Sequence, residues 1–161
     1  MLRRYAMLYT LLLCSLCLTI AVASAQAPSD EAMILYRQRV MSSQGANMGA
    51  IGEIMKNKLA FQAHIALHAQ GIQAMSTLIA DAFKHKAVEG KTDAKPEIWQ
   101  EWEKFTAAAK ALQEESGKLA QVAVSGDMET ISAQVKKVGD ACGNCHKPYR
   151  KPKEESYKNK P

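Results

Sequence analysis

Cys142-Gly143-Asn144-Cys145-His146 is the stretch from which the rest of this chain is read. Two thiols stand three residues apart and an imidazole follows at once, which is the attachment pattern of a c-type haem. Each thiol adds across one haem vinyl group, and residues three apart on a helix share a face. The imidazole of His146 then turns under the iron as the proximal ligand. A bare C-x-x-C equally suits a thioredoxin-like redox pair or half of a zinc site. The redox pair belongs in a βαβ context, and no strand pattern lies near Cys142. The zinc site needs further ligands at close spacing, and none flank it. The pattern therefore predicts one haem c per chain, covalently bound through Cys142 and Cys145.

Upstream, the chain opens Met1-Leu2-Arg3-Arg4, runs apolar from about Leu8 to Val22 and reaches Ala23-Ser24-Ala25 before Gln26. A basic start, an apolar centre and a small-x-small ending describe a secretory leader, with cleavage expected after Ala25. A membrane anchor is the competing reading. The apolar centre falls short of the about 20 residues a span needs, and no basic stop-transfer cluster follows it. Cys14 and Cys17 form a second C-x-x-C, but Leu18 follows them, and they leave with the leader. The mature chain keeps only Cys142 and Cys145. Two exported thiols suit a disulfide, yet His146 beside them makes haem attachment the better account. Residues 1–25 are thus read as a cleaved signal peptide. Residues 26–161 are read as one haem-binding four-helix-bundle domain with a short flexible tail from about residue 151. The expected location is the periplasm of a Gram-negative type of bacterium, with no membrane anchor after cleavage.

The full chain of 161 residues carries a formal charge of +5. The leader takes Arg3 and Arg4 and no acid with it, so the mature chain falls to +3. So mild a charge, with no basic stripe of interleaved aromatics, does not point to nucleic acid. It suits a weak preference for acidic redox partner proteins. There are no internal repeats at solenoid periods.

Four helices separated by breakers can be traced in the mature chain. Ser29, after Pro28, caps the first, and Asp30 and Glu31 suit the positive end of its dipole. Its stripe is Ile34, Gln38, Met41, Gly45, Met48, Gly52 and Met55, with alternating steps of four and three. Three methionines recur every seven residues with glycines between them. Glycine inside a helix costs about 1 kcal/mol relative to alanine, so this face lets something approach closely, a flat porphyrin or a neighbouring helix. Residues 56–60 read as a connector and 61–84 as the second helix, with the stripe Phe61, Ile65, His68, Ile72, Met75 and Ile79. His64 and His68 lie one turn apart, but with no third ligand in the pattern they read as partly solvated surface. Residues 85–95 are polar and read as a loop. Pro96 opens the third helix where its missing N–H costs nothing. The third stripe is Ile98, Trp102, Phe105, Ala109, Leu112, Ser116, Leu119 and Ala123, with Trp99 at its edge. Gly126 and Asp127 end that helix and cap the fourth. The fourth stripe is Ile131, Val135, Val138, Cys142, Cys145 and Tyr149, which puts the haem cysteines on the core seam. Pro148 lacks the N–H that would bond back to residue 144, so the helix should loosen there. The tail from Lys151 should fray.

With four helices, a leader and a C-terminal C-x-x-C-H, the chain resembles the class II cytochromes c, the cytochrome c prime family. The matching motifs are Tyr36-Arg37-Gln38, Pro96-Glu97-Ile98-Trp99, and Cys142-Gly-Asn-Cys145-His146 followed by Tyr149-Arg150. The resemblance covers nearly all of the mature chain and implies an antiparallel four-helix bundle, all α-helical, carrying the haem. It also implies a site residue opposite the proximal histidine. In high-spin members that residue is apolar and the five-coordinate iron binds nitric oxide or carbon monoxide. In low-spin members a methionine there is the sixth ligand and the protein carries electrons. Counted from Tyr36-Arg37-Gln38, the position falls on Met41, with Met48 the next candidate. By the same resemblance Arg37 lies near a haem propionate, Arg150 near the proximal face, and a homodimer forms through the first two helices. The expected function is electron transport by a single-electron carrier, not an enzyme, with His146 and Met41 on the iron. Two alternatives stand beside it: the five-coordinate gas binder, with Met41 as packing, and a haem-free bundle with a Cys142–Cys145 disulfide.

Overall fold

The structure is a computed structural model that describes residues 27–125 and 127–159. The leader and Gly126 lie outside the described residues. Six helices follow one another: α1 (Asp30–Lys56), α2 (Gln62–Ser76), α3 (Ile79–Lys84), α4 (Glu97–Gln100), α5 (Trp102–Ser125) and α6 (Met128–Tyr149). Two short 3-10 turns, Lys153–Glu155 and Tyr157–Asn159, close the chain. The four long helices make an antiparallel bundle.

The helix starts are set by the expected caps. Ser29 Oγ accepts from the amide of Ala32 at 3.2 Å, and Asp127 Oδ1 accepts from the amide of Glu129 at 3.0 Å. Each satisfies one of the free amides of a first turn. The third stripe is buried almost as written: Ile98, Phe105, Ala109, Leu112, Ser116, Leu119 and Ala123 are all inside. Pro148 sits in the last turn of α6, where the amide of Arg150 closes onto the carbonyl of His146 at 3.0 Å.

Three expectations are corrected. The second helix is not one piece. Its pattern breaks at Thr77 and Leu78, whose amides bond back to Ala74 and Met75 in a tighter turn, and α3 sets off after it. Phe61, assigned to the core, is 51% exposed and stacks on His64. On α1 the deeply buried residues are Ile34, Arg37, Val40, Gln44, Ile51 and Ile54. Met41, Met48 and Met55 lie beside them, half-buried. The helix is turned so that the methionine-and-glycine stripe borders open space instead of a neighbouring helix.

The tail also departs from expectation. From Lys151 onward it folds back on the 85–95 loop instead of fraying. The amide of Lys151 donates to the carbonyl of Asp93 at 2.8 Å, and the amide of Lys95 to the carbonyl of Tyr149 at 3.0 Å. The Asp93 carboxylate then takes the Ser156 hydroxyl at 2.8 Å and the Tyr157 amide at 2.9 Å. Polar sequence hid this, because the tail is held by hydrogen bonds and not by apolar burial. Asp93→Ala removes two of these bonds, each worth about 1 kcal/mol. The variant is expected to show faster proteolytic cleavage and amide exchange confined to residues 151–159, with the bundle's own protection unchanged.

Candidate functional site

The bundle is not closed all round. α1 packs on α2, α2 on α5 and α5 on α6, while α1 and α6 stand apart. Between them lies a cavity of ≈ 780 Å³, within the size range of cofactor pockets. Cys142, Cys145 and His146 line it from α6, and Met41, Gln44, Gly45, Met48 and Gly49 from α1. Phe105, Ala109 and Leu112 form its floor. The 92–94 loop segment and Tyr157 and Lys158 of the tail form a further wall. Gly139 of α6 faces Met48 of α1: a Cβ on Gly139 would stand 4.0 Å from Met48 Cε.

The residues present fit a haem bound through the thiols. Both cysteines are free, and both face the cavity from one helix. A Cβ built on Gly45 or Gly49 meets no atom within 4 Å, so the α1 wall leaves room for a flat ring. Burial pushes both thiols up, Cys145 to about 11 with the neighbouring Cys142 adding to it. Burial also lowers the His146 imidazole, and the charge of Arg150 lowers it further. The neutral imidazole that results is the form that ligates a metal.

The structure places the predicted residues unevenly. Cys142, Cys145, His146, Met41, Arg37 and Arg150 all border the one cavity. Arg150 is exposed at its edge. Arg37 is not a surface residue: it is 3% exposed. Its Nε donates to the carbonyl of Ala82 and its Nη1 to that of Ala87, both at 2.9 Å, and its Nη2 to that of His85. Its guanidinium carbon lies 5.0 Å from the Phe83 ring centre and 5.2 Å from that of Trp99. Trp99 in turn donates its indole N–H to the carbonyl of Phe83 at 2.7 Å. The Tyr-Arg-Gln motif therefore ties the loop to α1.

His64 and His68 hold no shared site. His64 stacks on Phe61, and His68 Nδ1 pairs with Asn47 Oδ1 at 2.9 Å. Among the described residues no group of three or more metal-binding side chains gathers. Two parts of the site were not foreseen. The tail and the loop reach the cavity only through backbone pairing, which leaves no periodicity. Gln44 stands three residues after Met41, so its spacing placed it on the same face, but its polar side chain concealed that it is buried.

The sequence profile of the family described as Cytochrome C' matches residues 32–150. The chain belongs to the cytochrome c prime family. It is 35% identical over 127 residues to cytochrome c' of Rhodospirillum rubrum, covering 78% of this chain and 86% of that one. Its fold matches cytochrome c prime from Shewanella frigidimarina with a TM-score of 0.71 and 29% identity, over 77% of this chain and 98% of that one. It matches a ferrous variant of cytochrome c prime from Alcaligenes xylosoxidans, solved with bound NO, with a TM-score of 0.69 and 29% identity, over 78% and 98% of the two chains. Another variant of that protein is solved with carbon monoxide bound. As in the family, one haem c is covalently bound, through Cys142 and Cys145.

These relatives overturn the expected low-spin electron carrier with Met41 on the iron. A cytochrome c' that takes up nitric oxide or carbon monoxide keeps a coordination position free, and a thioether ligand would fill it. The methionine stripe misled because a soft side chain suits both iron and irregular core gaps. Met41 packs half-buried against the core beside Val40 and Gln44.

The raised thiol of Cys145 gives a pH signature in the haem-free chain. Only the thiolate is nucleophilic, and a raised value means less of it below that value. Alkylation of Cys145 by iodoacetamide is expected to be slower at pH 8–9 than for an ordinary cysteine at about 8.5, and to climb as pH passes about 11. An alkylation profile with its midpoint near the ordinary value would contradict the burial seen here.

Proposed function

We propose that this chain is a periplasmic, five-coordinate haem c protein that binds nitric oxide or carbon monoxide, with His146 as the one protein ligand to iron. The cavity carries this reading. Its α6 wall supplies the two thiols and the imidazole, and its α1 wall supplies Met41, Met48 and the two glycines across open space. When bound, the haem would supply an iron with a coordination position left free for a small neutral gas. The residues do the rest. Cys142 and Cys145 keep the ring from dissociating, and the separation of α1 from α6 leaves the cavity it would occupy. Met41 and Met48 make that space largely apolar and so disfavour charged ligands. The relatives solved with both gases support the reading. The periplasm follows from the leader-like start, and among the described residues no helix is long and apolar enough to cross a membrane.

The ferric protein is expected to show a high-spin optical spectrum and, once reduced, to take up carbon monoxide freely. Met41→Leu, which keeps the bulk and removes the sulfur, should leave both properties unchanged. A low-spin ferric spectrum that Met41→Leu converts to high-spin would defeat the proposal.

Electrons still have to reach this iron, and the charge distribution favours an acidic donor. Segments 84–95 and 147–158 hold nine lysines and arginines against four acids. The remainder of the described chain holds nine against twelve. The basic excess is thus concentrated on the loop and tail that wall the cavity, where a complementary field steers encounter. Reduction by an acidic flavoprotein is expected to slow as ionic strength rises from about 0.01 M to about 0.15 M, which shortens the screening length from about 30 Å to about 8 Å. A rate that is flat or rising with salt would remove the acidic donor.

A further inference from the structure

We propose that Lys158 of the C-terminal tail pairs with a haem propionate, so that the tail is a latch closed onto the cofactor. The inference rests on the covalent haem and not on what else ligates its iron. The family match ends at Arg150, yet the wall of the cavity runs on past it, through Tyr157 and Lys158. Their backbone is fixed. The amide of Lys151 donates to the carbonyl of Asp93 at 2.8 Å. The Asp93 carboxylate accepts from the Ser156 hydroxyl at 2.8 Å and from the Tyr157 amide at 2.9 Å. The buried Ser156 then accepts the amide of Lys158 on its hydroxyl at 3.3 Å. Lys158 is carried to the cavity by a built segment.

The charges around the cavity leave a place for an anion. Besides His146, the charged side chains that border it are Arg37, Arg39, Asp93, Arg150 and Lys158. Arg37 gives its donors to the carbonyls of Ala82, His85 and Ala87. Asp93 is spent on Ser156 and Tyr157, so it does not compete for the ammonium. Arg39, Arg150 and Lys158 remain, and among the described residues none of them makes an ion pair. A cleft rimmed by one sign of charge draws in the other.

The cofactor brings that charge. A haem tied to Cys142 and Cys145 by its vinyl groups carries two carboxylates on the side of the ring away from them. The unpaired cations lie towards one end of the cavity. Arg150 stands eight residues beyond Cys142, about 12 Å further along the chain direction of α6, and the tail follows it. Arg39 and Arg150 sit on or beside helices that are packed in any case. The tail is held by hydrogen bonds alone, so a carboxylate on Lys158 adds most there. The pair also places a cation beside the ring, which favours the less positive, ferrous iron.

The test compares three holoprotein variants. Lys158→Gln removes the proposed partner. Lys153→Gln removes the same charge from an exposed tail residue that does not border the cavity. Lys158→Arg keeps the charge in place. Lys158→Gln should speed amide exchange at residues 157–159 roughly 2- to 5-fold, the span of one exposed ion pair, and should lower the reduction potential. Lys153→Gln should leave exchange unchanged and lower the potential less, and Lys158→Arg should match the wild type in both. All three residues are exposed, so assembly is not at stake. Unchanged exchange in Lys158→Gln refutes the latch. So does a potential that Lys158→Gln and Lys153→Gln lower equally or not at all. Neither measurement reads the remaining coordination position of the iron, which the ferric spectrum reports, so the latch and the five-coordinate reading fail separately.

Discussion

The buried guanidinium of Arg37 is the interaction on which the open end of this bundle depends. Its three hydrogen bonds gather the carbonyls of Ala82, His85 and Ala87 around one point, just where α3 ends and the loop begins. Phe83 and Trp99 flank it on their ring faces. A buried charge is tolerated only when its donors are satisfied and its field is met. Carbonyl dipoles and ring faces do this here without a carboxylate in contact. Burial pulls Arg37 below its usual value, and Asp30 opposes the shift. Asp30 also reaches His85 at 2.6 Å, so the start of α1 and the start of the loop are joined twice.

That anchorage is passed along the chain. With residues 82–87 fixed on α1, the loop presents Asp93 to the tail, and Asp93 holds Ser156 and Tyr157. Ala94 and Arg150 pair as an isolated antiparallel bridge. The loop, the tail and the end of α6 thereby become one wall of the haem cavity. Tyr149 closes the inner side, edge-on to Phe105 at 5.4 Å, with its hydroxyl donating to Glu101 at 3.2 Å. The proximal end of the site is thus stiffened by polar contacts at its surface and by aromatic packing beneath.

The cavity imposes a second constraint. A four-helix bundle buries its seams by closing around one core. This bundle leaves α1 and α6 apart, and a covalent group takes up the space. A ligand that binds only the native state stabilises it, and a thioether-linked haem cannot be diluted away. The same gap is seen at the glycines of α1: a Cβ on Gly45 or Gly49 would meet no other helix.

The sequence by itself determined the haem and the bundle. The cysteine–histidine pattern is chemistry at fixed spacing, and the stripe of α5 is buried as a period near 3.6 requires, while that of α6 is buried at Ile131, Val138 and Tyr149 and half-buried at Val135, Cys142 and Cys145. Local rules were also enough for the caps at Ser29 and Asp127, because each bond spans two or three residues. Only the tertiary structure decided the rest. The break at Thr77 and Leu78 is invisible to periodicity, since the apolar residues keep their spacing through it. The burial of Arg37 joins residues 45 to 50 positions apart, and the tail is held across more than 60. Charge and polarity in the sequence argue against both, because a polar group is buried only when distant partners exist to receive it. Met41 stands apart from both: a methionine on that stripe suits an iron and a core gap equally, because the same soft thioether serves either.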